Sequence, residues 1–454
     1  MFSIFTKKKS RSRQRKSFFQ RFQREKRPKR KRASSSRRSE KSKRSNIFKS
    51  FLALHGQPNL GVVGIVTFFC VAGLIMIFSA SAYYAYSDPN IGDSFFYFKR
   101  QLIWLGLGSL LGYIFFLMPL EYLKKITPFI LGTGVLLLLY IVPEALFGHT
   151  LPDGSTSGLQ MPLVEALNGA PRWINLQFFY LQPSELVKFG FLLYIASWLC
   201  RLDAEKKFKD RETYFSHVIF PFIILIGAIS SLILIQRDFD TTVILVLATM
   251  AVYFVSGSSK HHTLGSLSIL ASSIFAGSIA LMLEGYRRAR VETFFHIFQH
   301  GPNSASAVTQ EGGFQVFNGL VGLASGGFAG NGYGESVIKQ GYLQQAAYTD
   351  SIFSVIGEEF GFIGTLLVTV GFLYLGSLGL GIAKRAKTNF GALVAVGMTS
   401  LLVIQGFLNI AAVAVIIPFG GMPLPFFTYG GSSTMMSLIA IGVLLNVSKK
   451  QNQR

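Results

Sequence analysis

The chain has 454 residues, 50% of them hydrophobic and only 15% charged, with 46 glycines and a formal net charge of +22. At that composition, apolar runs of about 20 residues cross a bilayer rather than fill a water-soluble core. A soluble enzyme is excluded, and two cysteines, Cys70 and Cys200, both in or at the end of apolar runs, exclude a disulfide framework or a cysteine metal site.

Residues 1–57 hold 21 of the 44 basic residues against two acids, Glu25 and Glu40, so this tail carries +19 of the total. Lys, Arg, Ser and Gln in such density bury too little surface to fold alone. Beside a first membrane helix, the expected partner is anionic lipid rather than nucleic acid, at about 1 kcal/mol per basic residue near the surface. Phe18, Phe19 and Phe22 add interfacial anchoring.

The remainder, 58–448, reads as an all-α polytopic domain of about ten transmembrane helices, followed by a short tail over 449–454. The spans centre near 61–84, 101–118, 127–147, 184–200, 217–235, 241–256, 265–283, 351–376, 390–416 and 430–447. Lys124, Lys125, the basic stretch 201–212, Lys260, Lys384 to Lys387 and the C-terminal tail fall on one side, which the bias of Lys and Arg makes cytoplasmic. Both termini then face the cytoplasm. The connections 85–98, 148–183, 236–240, 284–350 and 417–429 face outward.

The loop 148–183 ends in NGAPRWINLQFFYLQPSELVK. Pro183 suits the first turn of a helix, with Glu185 near its positive end and Lys188 three residues on. An acid and a base at that depth form either a structural staple or part of a wet site. Arg172 beside Trp173 suggests bidentate contact with a phosphate at the interface. In the short connection IQRDFDTT, Asp238 is a further polar candidate, and Asp240 is placed to cap the sixth span.

The one long connection, 284–350, lies between the seventh and eighth spans; loops of that length are seldom idle. Arg287 and Arg290 of the YRRAR cluster make a basic face over lipid headgroups if the helix continues. Lys339 follows GNGYGES, whose glycines let backbone amides approach an anion. Asp350 closes the loop and, with Thr349, is placed to cap the eighth span. Glu358 lies about 12 Å deeper if that helix is continuous, an intramembrane carboxylate that is a functional candidate by default. Glu359 points away, toward another helix. Gln405 and Asn409, four apart in the ninth span, read as interhelical glue. The last loop, IIPFGGMPLPFFTYGGSS, is irregular backbone at membrane depth, and Ser432 and Ser433 at the tenth span are caps or ligand donors.

NGAPRWI with QPSELVK, then GFQ with GNGYGES, then YTDSIFSVIGEEFGFIG, and finally PLPFFTYGGSS with LLNVS, resemble the SEDS family, the FtsW and RodA polymerases of the bacterial cell wall. The resemblance runs in order over about residues 60–448 and leaves out the basic tail. It implies a peptidoglycan glycosyltransferase in the cytoplasmic membrane that joins lipid II, for division or cell shape. Its product would be undecaprenyl-pyrophosphate-linked glycan, made with a class B penicillin-binding protein. By position it makes Asp350 the catalytic acid, hence a general base. Arg172, Glu185, Lys188, Asp238, Arg287, Arg290, Lys339, Glu358, Ser432 and Ser433 are the substrate-binding candidates around it. A base and cations about a leaving pyrophosphate are what that reaction needs. A divalent cation, Mg²⁺ or Mn²⁺, is compatible with Asp350 and pyrophosphate oxygens.

Several positions depart from the family pattern: Arg237 and Asp240 stand for Pro and Gly, Gln344, Gln345 and Tyr348 replace an acid and a His ahead of Asp350, and Gly420 replaces a Lys. Two other functions share the gross features: a lipid II flippase, and a non-catalytic scaffold for a transpeptidase. A transporter would place its chemistry near the bilayer midplane between repeats, whereas this chain concentrates it in the outer loop.

Overall fold

The computed structural model describes residues 58–150, 156–167, 170–205, 214–257, 260–283, 291–292, 294–295, 299, 311–418 and 421–449. The basic tail, Arg287, Arg290, Gly420 and residues 450–454 lie outside them.

The architecture is a helical bundle. In chain order it comprises α1 (Leu60–Ser87), α2 (Phe96–Leu117), α3 (Leu120–Phe147), five short strands, α4 (Pro183–Ala204), α5 (Phe220–Ile235), α6 (Phe239–Ser256), α7 (Lys260–Leu283), α8 (Glu311–Ser325), α9 (Ile352–Arg385), α10 (Asn389–Val413) and α11 (Gly431–Lys449). A π-helical turn, Phe215–Ile219, leads into α5. Among the described residues, eight helices are long and apolar enough to cross a membrane. The expected fourth and seventh spans are also long helices, α4 and α7. Charged Glu185 and Lys188 sit inside α4, and most of its residues are buried. It is therefore an inner helix, screened from lipid by its neighbours. Of the apolar windows in α10 and α11, 72% is buried, against 22% in α3, so the first two line the centre and the third forms the rim.

Two glycines show how closely the inner helices meet. A Cβ on Gly442 of α11 would lie 2.0 Å from the Gly112 carbonyl oxygen of α2, and one on Gly112 would lie 2.6 Å from the Leu438 carbonyl oxygen. Small residues at such a seam let backbones approach and replace the hydrophobic drive that lipid cannot supply.

Three features add to the ten expected spans or depart from them. The segment 148–181 carries two antiparallel sheets: β1 (Gly148–Thr150) pairs with β2 (Thr156–Gly158), and β3 (Val164–Leu167) with β4 (Ala170–Asn175), which also pairs with β5 (Tyr180–Leu181). The long connection contains α8, an apolar helix. Finally, α9 is not continuous: Gly361 has φ 62° and ψ −156°, a conformation confined in practice to glycine. The backbone groups freed by this break are taken up by the loop after α8. The amides of Asn331 and Gly332 donate to the carbonyls of Glu358 and Glu359, and those of Phe362 and Ile363 donate to Gly327 and Phe328. A broken helix within a bundle persists where protein satisfies its backbone in this way.

Candidate functional site

One end of the bundle gathers the strands, the α1–α2 link, the α5–α6 corner, the start of α9 and the described parts of the last loop, 414–418 and 421–430. Asp350 stands among them, half-buried, one residue before the helix cap. The cap position is Ser351, which makes no side-chain cap bond, so Asp350 does not cap α9. Its Oδ1 accepts from Thr349 Oγ1 at 3.1 Å and from Gln315 Nε2 of α8 at 3.5 Å. Oδ2 faces Gly421, 3.4 Å from where a Cβ would stand.

The backbone around Asp350 is laced to the last loop. Asn409 Nδ2 of α10 donates to the Asp350 carbonyl at 2.8 Å and to the Met422 carbonyl at 2.6 Å. Thr428 Oγ1 donates to the Thr349 carbonyl at 2.9 Å, and the Tyr429 amide donates to the Tyr348 carbonyl at 2.9 Å. Tyr348 fills the space beneath, its ring 4.5 Å from Tyr97, 5.7 Å from Tyr84 and 5.9 Å from Tyr429 between centroids. Burial drives its phenol well above the usual tyrosine range. The segment bearing the carboxylate is thus tied to α8, α10 and the last loop, while the side chain stays half-buried.

The α5–α6 corner reverses the expected capping. Asp238, not Asp240, is the N-cap of α6, accepting from the Thr241 amide at 3.2 Å. Its Oδ2 also accepts from Gln182 Nε2 at 3.1 Å and Ser184 Oγ at 3.2 Å, which locks α4 to α6 and leaves Asp238 buried. Asp240 reaches instead across to the last loop, where its Oδ2 accepts from the Gly421 amide at 3.0 Å. Gly421 therefore has Asp240 on its amide and Asp350 against its α-carbon.

Most of the cations and acids expected at the substrate prove to be engaged in the scaffold. Lys188 is 1% exposed and donates to Glu185 Oε1 at 2.8 Å and to Gln405 Oε1 at 3.1 Å, while Gln405 Nε2 holds the Pro423 carbonyl at 3.0 Å. That pair is a buried staple under the last loop. Lys339 is equally committed: its ammonium donates to Glu359 Oε1 at 2.7 Å, to Ser79 Oγ of α1 at 3.0 Å and to the Gly334 carbonyl at 2.8 Å. Glu358 is buried too, accepting from Ser336 Oγ and from the amides of Val337, at 3.0 Å, and Ile338, at 3.3 Å. It secures the returning loop. Arg172 donates through Nε to the Gln236 carbonyl at 3.3 Å and through Nη2 to the Arg237 carbonyl, tying β4 to the α5–α6 corner. Ser432 donates to the Tyr180 carbonyl at 2.7 Å and accepts from the Gln182 amide at 3.2 Å, while Ser433 is half-buried on the first turn of α11.

Sequence reasoning missed Gln315, the Asp240–Gly421 contact and Arg100. Arg100 is exposed at the start of α2, on the same end of the bundle as Asp350. Its guanidinium carbon lies 4.5 Å from the centroid of Phe96. The available signal was its sidedness, since Lys99 and Arg100 lie at the end of the second span opposite the other cationic loops. Among the described residues, no group of three or more His, Cys, Asp or Glu side chains could hold a metal ion.

The family model FTSW_RODA_SPOVE, described as cell cycle protein, matches residues 61–453. A probable peptidoglycan glycosyltransferase FtsW of Geobacter sp. (strain M18) is 33% identical over 379 residues, 83% of this chain and 93% of that protein. Stage V sporulation protein E of Bacillus subtilis (strain 168) is 33% identical over 393 residues, 87% of this chain and 97% of its own length. Among solved structures, the rod shape determining protein RodA of Thermus thermophilus superposes with a TM-score of 0.58 at 22% identity, over 88% of this chain and 99% of that one. A chain from a peptidoglycan synthase complex that coordinates polymerization and crosslinking gives a TM-score of 0.64 at 23% identity, with the same coverage. At those identities the two structures speak to the fold alone.

Proposed function

The chain belongs to the FtsW, RodA and SpoVE family, and from that premise we propose that it builds glycan strands with Asp350 as the general base. It is a multi-pass membrane protein and a peptidoglycan glycosyltransferase, as its FtsW relatives are named. The Asp350 carboxylate takes the proton of a hydroxyl on one lipid II-derived sugar. That oxygen bonds to the anomeric carbon of a second sugar, whose bond to polyprenyl pyrophosphate breaks, and the pyrophosphate leaves with the bonding electrons.

The observation carrying this reading is the placement of Asp350: half-buried, turned toward Gly421, with its backbone fixed by Asn409 and its carboxylate bonded by Gln315. The strand-bearing end of the bundle then faces outward, where the sugars of lipid II lie, and the basic loops face the cytoplasm. A transpeptidase of the class B penicillin-binding type is the partner, by analogy with the synthase complex of like fold. The described residues supply no cluster of three or more ligating side chains for a resident metal.

The test is polymerisation of lipid II by purified protein with its transpeptidase. Asp350→Asn, equal in size and unable to accept the proton, abolishes glycan synthesis while thermal stability stays near wild type. A well-folded Asp350→Asn protein that makes strands at the normal rate removes Asp350 from the chemistry.

A further inference from the structure

The segment between β2 and β3 does not stand clear of the membrane; it folds back along α3. The Leu159 amide donates to the Phe147 carbonyl at 3.3 Å, the Met161 amide to Glu144 Oε2 at 2.8 Å, and the Tyr140 hydroxyl to the Pro162 carbonyl at 2.5 Å. These partners step back from the end of α3, and at about 1.5 Å per residue Tyr140 lies about 10 Å from Phe147. The other end of the helix fixes the level. Lys124 and Lys125 stand in its first turns, and Lys125 is exposed. From Lys125 to Tyr140 the helix rises about 22 Å, within a hydrocarbon core of about 30 Å. Pro162 is therefore at the depth of the outer leaflet. Tyr140 also lies within the lipid-facing stripe of α3, where Leu136, Leu139, Leu146 and Phe147 are exposed at helical spacing.

What the fold places at that depth suits hydrocarbon. Residues 156–164 and 176–181 contain no charged side chain. Leu163 is 54% exposed and Phe178 83%, and Leu159 is exposed as well. The Asn175 amide donates to the Leu163 carbonyl at 2.7 Å, which brings the β4–β5 turn that carries Phe178 against the same segment. That turn is closed on itself: the Leu176 amide donates to the Phe179 carbonyl at 3.1 Å and the Gln177 amide to Asn175 Oδ1 at 2.8 Å. The nearest acid, Glu165, accepts from Asn175 Nδ2 at 2.9 Å and from the Tyr180 hydroxyl at 3.2 Å. The amides of Leu159, Met161 and Val164 and the carbonyls of Pro162 and Leu163 are all bonded within the protein, and Pro162 has no N–H. Backbone that meets lipid has to be satisfied in this way. Leu163 has a φ of 65°, a conformation costly for leucine, and burial inside the protein does not offset it.

We propose that Leu159, Leu163 and Phe178 form an apolar edge seated among the acyl chains of the outer leaflet, which makes the strand segment a lipid anchor rather than a projection into water. The occupant is lipid because the edge continues the exposed stripe of α3, lies at hydrocarbon depth and carries no charge. The anchor is joined to the candidate site through bonds already described. Arg172 of β4 holds the carbonyls of Gln236 and Arg237 at the α5–α6 corner, and Asp240 of α6 holds the Gly421 amide beside Asp350.

The experiment uses the full-length protein with Cys70→Ala and Cys200→Ala in phosphatidylcholine nanodiscs, and a nitroxide attached at Leu163→Cys or Phe178→Cys. Electron paramagnetic resonance power saturation compares collisions with molecular oxygen, which concentrates in hydrocarbon, and with a water-soluble nickel chelate. Leu136→Cys on the exposed face of α3 and Asn90→Cys in the exposed α1–α2 link give the lipid and water references. The oxygen-to-nickel collision ratio at both test positions matches that of Leu136→Cys and exceeds that of Asn90→Cys several-fold. A ratio at the Asn90→Cys level overturns the proposal. Poor access to both reagents also overturns it, since the edge would then pack on protein. Nickel access at Phe178→Cys that is high and is lost when a class B transpeptidase is added identifies a protein-docking surface, and the proposal fails. Should either labelled variant not fold, Leu159→Cys takes its place with the same outcomes. Because the readout needs no turnover, failure of the anchor and failure of Asp350 as base are read separately.

Discussion

The ammonium of Lys339 lies 2.7 Å from Oε1 of Glu359, and Ser79 of α1 is bonded to both. Neither charged side chain is more than 4% exposed. The pair joins the loop after α8 to α9 and α1, three elements remote in sequence.

Removing one partner strands the other charge away from water, whereas removing both does not. Lys339→Met is expected to destabilise the protein by about 3–5 kcal/mol, and Lys339→Met with Glu359→Met to recover most of that loss. Thermal unfolding in detergent checks it. Equal stability of the single variant and wild type would contradict a buried pair.

Gly361 is required by backbone geometry. A Cβ there would stand 2.5 Å from the Gly330 amide nitrogen, and its backbone conformation is closed to other residues. Gly361→Ala should cost at least about 1–3 kcal/mol and displace the loop that Glu358 secures, lowering both melting temperature and polymerisation rate. Gly327, also at positive φ but with open space around it, provides a comparison in which backbone strain acts without a clash.

Asp240 is expected to act through Gly421 as a positioning residue. Asp240→Ala frees the Gly421 amide and should lower kcat roughly tenfold, about the worth of one charged hydrogen bond, with KM little changed. Asp240→Asn keeps an acceptor oxygen and should restore most of the rate. Steady-state kinetics of both variants decide the matter; wild-type kcat in Asp240→Ala would show that the contact does not support catalysis.

The α2–α11 seam should tolerate no added bulk. Gly442→Val places carbon 2.0 Å from the Gly112 carbonyl and must part the helices, at a cost of about 1–3 kcal/mol. Gly106→Ala, on α2 with nothing within 4 Å, should be neutral. Melting temperatures of the two variants test the seam.

The spans were legible because apolar length is a local property: about 20 residues must satisfy their own backbone in lipid, and the helix is the local solution. The prominence of Asp350 was legible too, from its place at the mouth of an apolar helix and from the motifs around it. What the chain order could not express was which charges spend themselves on one another. In a low-dielectric interior an ionised side chain persists only beside its complement, and that complement is chosen by folding. Lys339 finds Glu359 20 positions away and Ser79 260 positions away. Lys188 finds Gln405 217 positions away. The break at Gly361 follows the same logic, since its freed amides and carbonyls needed a loop from elsewhere to receive them. Sequence alone determined that this is a bundle of membrane helices with an acid at one lip. Tertiary structure decided which of its cations are spent in the scaffold, because pairing depends on distance in space.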